Sequence, residues 1–477
     1  MRRIEFISRL IGYLKSEFCN SLIIDFNRKG MQMNENGIGL ARKILLPLGL
    51  ALSLVFTGVL TMKAEVNPAL GVNVKNYGAK GDGKHDDTAA FQKAMMVVSK
   101  QGGGIVYVPT GNYRILGNLN VPEDVTLKGT WIAPPNITMP KAPPTALPAP
   151  LPKHGSVLLA YAGSGKPNGT SFITLNRNSM LDGISVYYPN QSVTNPIPYP
   201  WCVHGNGDNC TIRNVLLINP YQGVDFGTTP AGRHFIDGLY GQPLFKGLFI
   251  DKCFDVGRVE NVHFWPFWST DPAIMRWTSL HGTAFIIGRT DWEYMMNCFA
   301  ICYKVGYHFV QIKDGPGNVV LTQCGADEGA DGTDTTPVVV DNCQGHAGIS
   351  FVNGQFMGAT EVQVMDSNTG PVKFTACGFW GMPNSNSVAK LAGTGNVTFE
   401  GCHFISWGHP DAQSPAIDAA CQGITITSCD FMDAGKVQVR LENGCSSAII
   451  VANRLRGGVN IENPGNVKAQ IGLNSEQ

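Results

Sequence analysis

Charge is what this 477-residue chain has least of: only 15% of its residues are charged, and 36 basic residues balance 36 acidic ones. No Lys/Arg run stands out after the N-terminal region, so the electrostatic footprint of a nucleic-acid binder is missing and no nucleic-acid partner is expected. Long apolar runs are scarce too. Residues 44–60 (ILLPLGLALSLVFTGVL) follow Arg42 and Lys43 in the layout of a secretory signal's charged and apolar regions. The flank TMKA (Thr61 to Ala64) fits a cleavage site only loosely, and about 40 residues precede the run. Either translation starts at Met31 or Met33, or the segment is an uncleaved anchor, since about 17 apolar residues reach the lower limit for spanning a bilayer. Residues 1–64 therefore read as an N-terminal extension with a signal peptide or signal anchor. The expected location is secreted or periplasmic, with membrane anchoring through 44–60 as the other form.

What the chain has in quantity is glycine, 56 residues, which with so little charge fits many tight turns between short strands. It also has a repeat. One phrase returns four times between Gly354 and Phe431 as ISFVNGQF, VKFTACGF, VTFEGCHF and ITITSCDF, at steps of 23, 25 and 27 residues. Aligned on Gly354, Cys377, Cys402 and Cys429, every copy has an apolar residue three before the anchor and another two after it. A β-rich period of that length marks a solenoid whose repeats bury their apolar face only by stacking. Because a solenoid grows coil by coil, residues 71–477 are expected to form one long domain.

Further anchors are Ile184, Val215, Leu239, Val262, Cys298, Cys324 and Asn453; the longer steps carry loops, mostly in the N-terminal half. The Pro-rich segment 134–152 cannot donate ladder hydrogen bonds at so many positions and reads as a surface loop. The two residues before each anchor, such as Arg213-Asn214 and Glu260-Asn261, look like a tight bend between two strands. Five of the thirteen cysteines hold anchor positions (Cys298, Cys324, Cys377, Cys402, Cys429). Side chains stacked about 4.8 Å apart with parallel Cβ vectors do not meet disulfide geometry, so a buried thiol ladder is expected. A further strand per coil places Asp225, His308, Gln363, Gln438 and Asn460 outward, in a polar file along one face.

Upstream, NVKNYGAKGDGKHDDTAAFQKAM followed by GGGIVYVPTGNYRI reads as strand, turn, a helix with Ala90, Phe91, Ala94 and Met95 on one face, then two strands. This combination resembles the N-terminal signature of the pectate-lyase superfamily, which includes rhamnogalacturonase-like, epimerase-like and polygalacturonase-related (glycoside hydrolase family 28-related) proteins. The resemblance implies an all-β fold, a single-stranded right-handed parallel β-helix with the helix capping its N-terminal end. Many β-helices with this cap also trimerise along their sides, which leaves a homotrimer open.

Ionisable and aromatic residues concentrate in residues 221–281. Glycoside hydrolysis needs two flanking carboxyl groups, about 5–5.5 or 6.5–9.5 Å apart according to mechanism. Asp225 and Asp251, with Asp255 as alternate partner, lie at or just after equivalent strands of adjacent coils and are the catalytic candidates; each could equally be a turn cap or a surface ion pair. Arg233, His234, Arg276 and His308 are candidates for orienting a substrate, and Trp265 and Trp268 for stacking on sugar rings or for filling the core of their own loop. The turn ADEGADGTD offers Asp327, Glu328 and Asp331 as a weak calcium site without EF-hand spacing; a solvated acidic turn is the plainer reading. QGHAG (344–348) has a Gly-His-Gly likeness to polygalacturonases, yet their NTD, DD and RIK motifs are absent in that order, so those catalytic residues do not carry over. The expected function is an exported glycosidase acting on a polysaccharide or oligosaccharide, with no cofactor. A lyase, with calcium, and a non-catalytic carbohydrate-binding or adhesion β-helix are the alternatives.

Overall fold

Each repeat of the phrase is one coil, and the coil's corner is set by a single residue. The computed structural model describes residues 71–134 and 153–477, apart from 328, 331 and 477. The apolar run 44–60 and all of the Pro-rich segment beyond Pro134 lie outside these residues. Immediately before the anchors Val215, Val262, Cys298, Cys324, Gly354, Cys377, Cys429 and Asn453 stand Asn214, Asn261, Asn297, Gln323, Asn353, Ala376, Ser428 and Ala452, all with φ between 50° and 59°. This left-handed conformation turns the chain between two strands; glycine adopts it freely and asparagine tolerates it better than most residues. Gly238 and Gly401 fill the same place before Leu239 and Cys402.

The strands before and after the bend run in parallel files through one 27-stranded sheet, and a third strand per coil forms a separate 13-stranded sheet. In the copies the first file is Ile349–Val352, Val372–Thr375, Asn396–Glu400 and Gly423–Thr427. The second is Gln355–Gly358, Gly378–Gly381, His403–Ile405 and Asp430–Phe431. The third file includes Gln222–Phe226, Lys246–Ile250, Thr283–Ile287, Val305–Phe309, Thr336–Val340 and Val362–Val364. Every pairing between these strands is parallel, and the fold is a right-handed parallel β-helix, the hand that crossovers between parallel strands almost always take.

Stacking buries the two apolar columns of the phrase. Phe351, Phe374 and Phe399 stack with centroids 5.3 and 5.1 Å apart, three residues before the anchors. Phe356, Phe379, Phe404 and Phe431 stack at 5.4, 5.3 and 4.7 Å, two residues after them. The twelve described cysteines are all buried and free, as the thiol ladder requires. Most of their thiols donate to backbone carbonyls, Cys402 Sγ to Phe374 O at 3.4 Å for example. Burial pushes Cys202, Cys210, Cys343 and Cys421 up to about 12, which keeps them protonated and unreactive.

Helix α1 (Thr88–Ser99) buries Ala90, Phe91, Ala94, Met95 and Val98 against the first strands. The strand expected to open this signature shortens to Val72–Asn73, because Lys75 N–H donates to the Asn73 side chain and Gly78, at φ 110°, closes a 3-10 turn. Helix α2 (Pro272–His281) occupies the longest step, where the sequence reading placed only a loop. Asp271, within the ionisable and aromatic stretch 221–281, caps it by accepting from Ala273 N–H at 2.8 Å, with Pro272 in the first turn.

Candidate functional site

The bend residues do more than turn the chain. Asn261, Asn297, Gln323 and Asn353 stand one above another on the outside of four coils and form one wall of an open groove of about 510 Å³. Part of this wall is a ladder: Asn297 Nδ2 donates to Asn261 Oδ1 and Asn261 Nδ2 to Asp237 Oδ1, each at 2.9 Å. Tyr240, His263, Phe299 and Gln355 from the second file, and Trp265 just past it, also line the groove. His263 sits 5.5 Å from Trp265 and 5.6 Å from Phe299, edge to face. Burial lowers the His263 pKa, which keeps its imidazole neutral. The groove therefore presents amides, a neutral imidazole and aromatic faces, with no carboxylate in its lining. Such a surface suits hydroxyl-rich ligands whose rings carry apolar C–H faces.

The carboxylates proposed from sequence lie elsewhere, on the third file. Asp225 is enclosed: Oδ2 accepts from His204 Nδ1 at 2.9 Å, and Oδ1 from the N–H groups of Gly227 and Thr228 at 3.0 and 2.8 Å. Burial raises this carboxyl's pKa, but the bonds from His204, Thr228 and Gly227 outweigh it and hold it below the ordinary value. Asp251 follows the paired Phe226 and Ile250 by one residue, is 2% exposed, and accepts from Arg289 N–H at 2.7 Å. Burial raises its pKa despite that bond and nearby Lys252. The two acids thus occupy neighbouring coils, as expected, and the Phe249 ring leans over Gly227, 2.5 Å from where a Cβ there would stand. Neither belongs to the lining of the groove at Trp265.

Arg233 and Asp255 form an exposed ion pair at 2.9 Å, and Arg233 also reaches Asp208 at 3.1 Å. His234 is fully enclosed and bonded to Glu293, so it does not face a substrate from outside. Trp268 is 2% exposed and belongs to a small satellite core with Leu216, Ile218, Leu244 and Ile274; Trp265, three residues earlier, reaches the groove. Arg276 is exposed on α2. His308 bonds both oxygens of Asp341 at 3.1 Å on the third file. Glu328 and Asp331 lie outside the described residues, which leaves Asp327 alone of the calcium candidates.

The outward file itself needs correction. His204, Asp225, Phe249, Ile286, His308, Val339, Gln363, Lys390, Asp418, Arg440 and Glu462 occupy successive register positions, so apolar residues interrupt it. Gln438 and Asn460 are not members: the strands begin at Val439 and Ile461, and Gln438 is buried, bonded to Asn460 and Gly458. An apolar-polar-apolar triplet marks a strand without fixing which coil position it takes, and here a two-residue slip moved the outward place.

A second groove, of about 410 Å³, lies along this file. Ala392 and Ala420 floor it, and Asp366, Lys390, Asp418 and Glu442 stand around them. Burial raises the Asp418 pKa against the pull of Arg440 and Lys390, and Asp418 Oδ1 has no hydrogen-bond partner. None of these residues was singled out from the sequence. The signal was there in principle, since Asp418 is the middle residue of the triplet Ile417–Ala419 and Glu442 follows the equivalent triplet Val439–Leu441, but only register shows that they share a groove.

Residues 71–226 match the family described as "Rhamnogalacturonase A/epimerase, pectate lyase-like". Among curated proteins, "Alginate lyase 7" of Azotobacter vinelandii is 60% identical over 45 residues, 9% of this chain and 5% of that protein. "Mannuronan C5-epimerase AlgE3" of the same organism is 51% identical over 55 residues, 12% of this chain and 3% of that protein. The chain thus spans only a small part of these relatives. Among solved structures, the N-terminal fragment of bacteriophage phi29 gene product 12 superposes with a TM-score of 0.57 at 13% identity, covering 88% of this chain and 73% of that one, which supports the fold alone.

Proposed function

We propose that this chain, a pectate-lyase-like β-helix protein, is carbohydrate-active and takes a polysaccharide lengthwise in the Trp265 groove. The observation that carries this reading is the alignment of Asn261, Asn297, Gln323 and Asn353 with Tyr240, His263, Trp265 and Phe299 across consecutive coils. A repeating ligand meets a repeating wall, with amides for its hydroxyls and rings for its apolar faces. The match over 71–226 supports the substrate class, as do relatives named for alginate and mannuronan. The test is binding of the full chain to a panel of neutral and acidic polysaccharides, alginate included. Trp265→Ala is expected to weaken binding about tenfold, the size of one stacked ring lost from a contact surface. No binder in the panel, or equal binding by Trp265→Ala, rejects the reading.

Hydrolysis is a second reading, favoured by Asp418. A partly buried acid with a raised pKa and an unpartnered oxygen, in an open groove beside Asp366 and Glu442, is the pairing that glycosidic cleavage uses. Asp418 would protonate the leaving oxygen, and Glu442 or Asp366 would activate water or attack. Release of reducing ends, insensitive to chelator and abolished in Asp418→Asn, is the expected result. Unsaturated uronate product, or full activity in Asp418→Asn, rejects it. Export, cleavage of the leader and trimerisation remain part of the same proposal and are read by fractionation and by mass in solution.

A further inference from the structure

Inside the solenoid, away from both grooves, three side chains of consecutive coils converge. His234 precedes the strand Phe235–Gly241, Cys253 lies in the turn after Lys246–Ile250, and Glu293 opens Glu293–Met296. All three are buried, and an imidazole nitrogen, the sulfur and a carboxylate oxygen lie within 4.8 Å of one another. His234 Nδ1–H donates to the Ala231 carbonyl at 2.8 Å, which turns the Nε2 lone pair toward Glu293 Oε1, 3.1 Å away. Two acceptors at that distance need a shared proton or a metal ion between them. Glu293 Oε2 is buried with no partner at all. Gly257 keeps the place open, since a Cβ there would overlap Glu293 Oε2 and fall 2.6 Å from His234 Cε1.

We infer that His234 Nε2, Cys253 Sγ and the Glu293 carboxylate hold a buried divalent transition metal of the zinc class. Nitrogen and oxygen ligands at about 2.0–2.1 Å in tetrahedral array stand about 3.3 Å apart, close to the observed spacing. The donor to a backbone carbonyl on the far ring nitrogen is the usual partner of a metal-bound histidine. Mixed nitrogen, sulfur and oxygen donors select zinc over calcium or magnesium. Charge balances as well: the metal replaces two protons, one from the Cys253 thiol, now donated to the Asp255 carbonyl at 2.8 Å, and one shared by His234 and Glu293. Because all three ligands are buried, the ion enters as the coils close and pins the turns that carry Arg233, Asp251 and Asp255.

The test is the metal content of the full chain, expressed in zinc-supplemented medium, dialysed, then unfolded and assayed by mass spectrometry. One zinc per chain is expected, with occupancy at least about tenfold lower in Glu293→Gln and Cys253→Ser. Should those variants not fold, refolding the wild-type chain with cobalt(II) reads the same site through a thiolate-to-cobalt charge-transfer band and a raised melting temperature. No stoichiometric metal from expression and neither change on refolding overturns the inference. So does a charge-transfer band that persists in folded Cys253→Ser.

Discussion

Asp225→Asn separates a structural from a catalytic carboxylate. Asparagine keeps the volume and one acceptor oxygen for the N–H groups of Gly227 and Thr228, but places an amide NH₂ against His204 Nδ1. Two charge-assisted bonds become neutral ones, at a loss of about 1 kcal/mol each, and the third is lost or requires the other imidazole tautomer, at about 1 kcal/mol more. The expected cost is about 3 kcal/mol at pH 7, read as a shift of the urea midpoint at constant slope. The sign with pH follows from the direction of the shift. Asp225 is held below the ordinary carboxylate value near 4, so its contribution is complete above that pH and fades as pH falls through the lower folded value. The wild-type and Asp225→Asn midpoints should therefore converge below about pH 4. A gap that stays constant down to the lowest pH at which both fold refutes this account of the His204 and backbone bonds. A variant of unchanged stability that loses all turnover would make Asp225 a catalytic group instead.

Three further substitutions test the fold that carries the grooves. Phe374→Ala removes a fully buried ring stacked between Phe351 and Phe399, and should cost about 3–5 kcal/mol in the same urea measurement. Ala376→Gly relieves a left-handed residue at φ 54°, and a net gain of about 0.5 kcal/mol is expected after the added unfolded-state entropy, visible as a small rise in melting temperature. Gly257→Ala drives a methyl into Glu293 and His234 and should destabilise by about 1–3 kcal/mol; a neutral result would mean that the pocket around these side chains is looser than it looks.

Much of the fold is legible from one phrase because a solenoid repeats its constraints. The apolar residues three before and two after each anchor had to stack on their own copies, and Phe351 on Phe374 on Phe399 is that rule made visible. Asn261, Asn297 and Asn353 were readable as bends, because asparagine before an anchor is a residue tolerant of positive φ. Cysteines at anchors read correctly as buried thiols for the same reason. Helix α2 was legible as Asp-Pro followed by helix formers, and was missed because the step was treated as a loop.

The site was less accessible, because it depends on distances along the stacking axis, perpendicular to the chain. Composition picked out 221–281 for its acids and rings, yet burial and hydrogen bonding consume Asp225 and His234, and Trp268 turns into a satellite core while Trp265 turns outward. Residues 36 apart, Asn261 and Asn297, become hydrogen-bonded neighbours, and His234 meets Glu293 from 59 residues away. The sequence alone determined the coil, its corners and its core, since each copy must solve the same local packing problem. Only the tertiary structure decided which side chains face a groove, which face one another and which are enclosed, because a slip of one or two residues in register leaves the pattern of a strand intact while changing every neighbour it has.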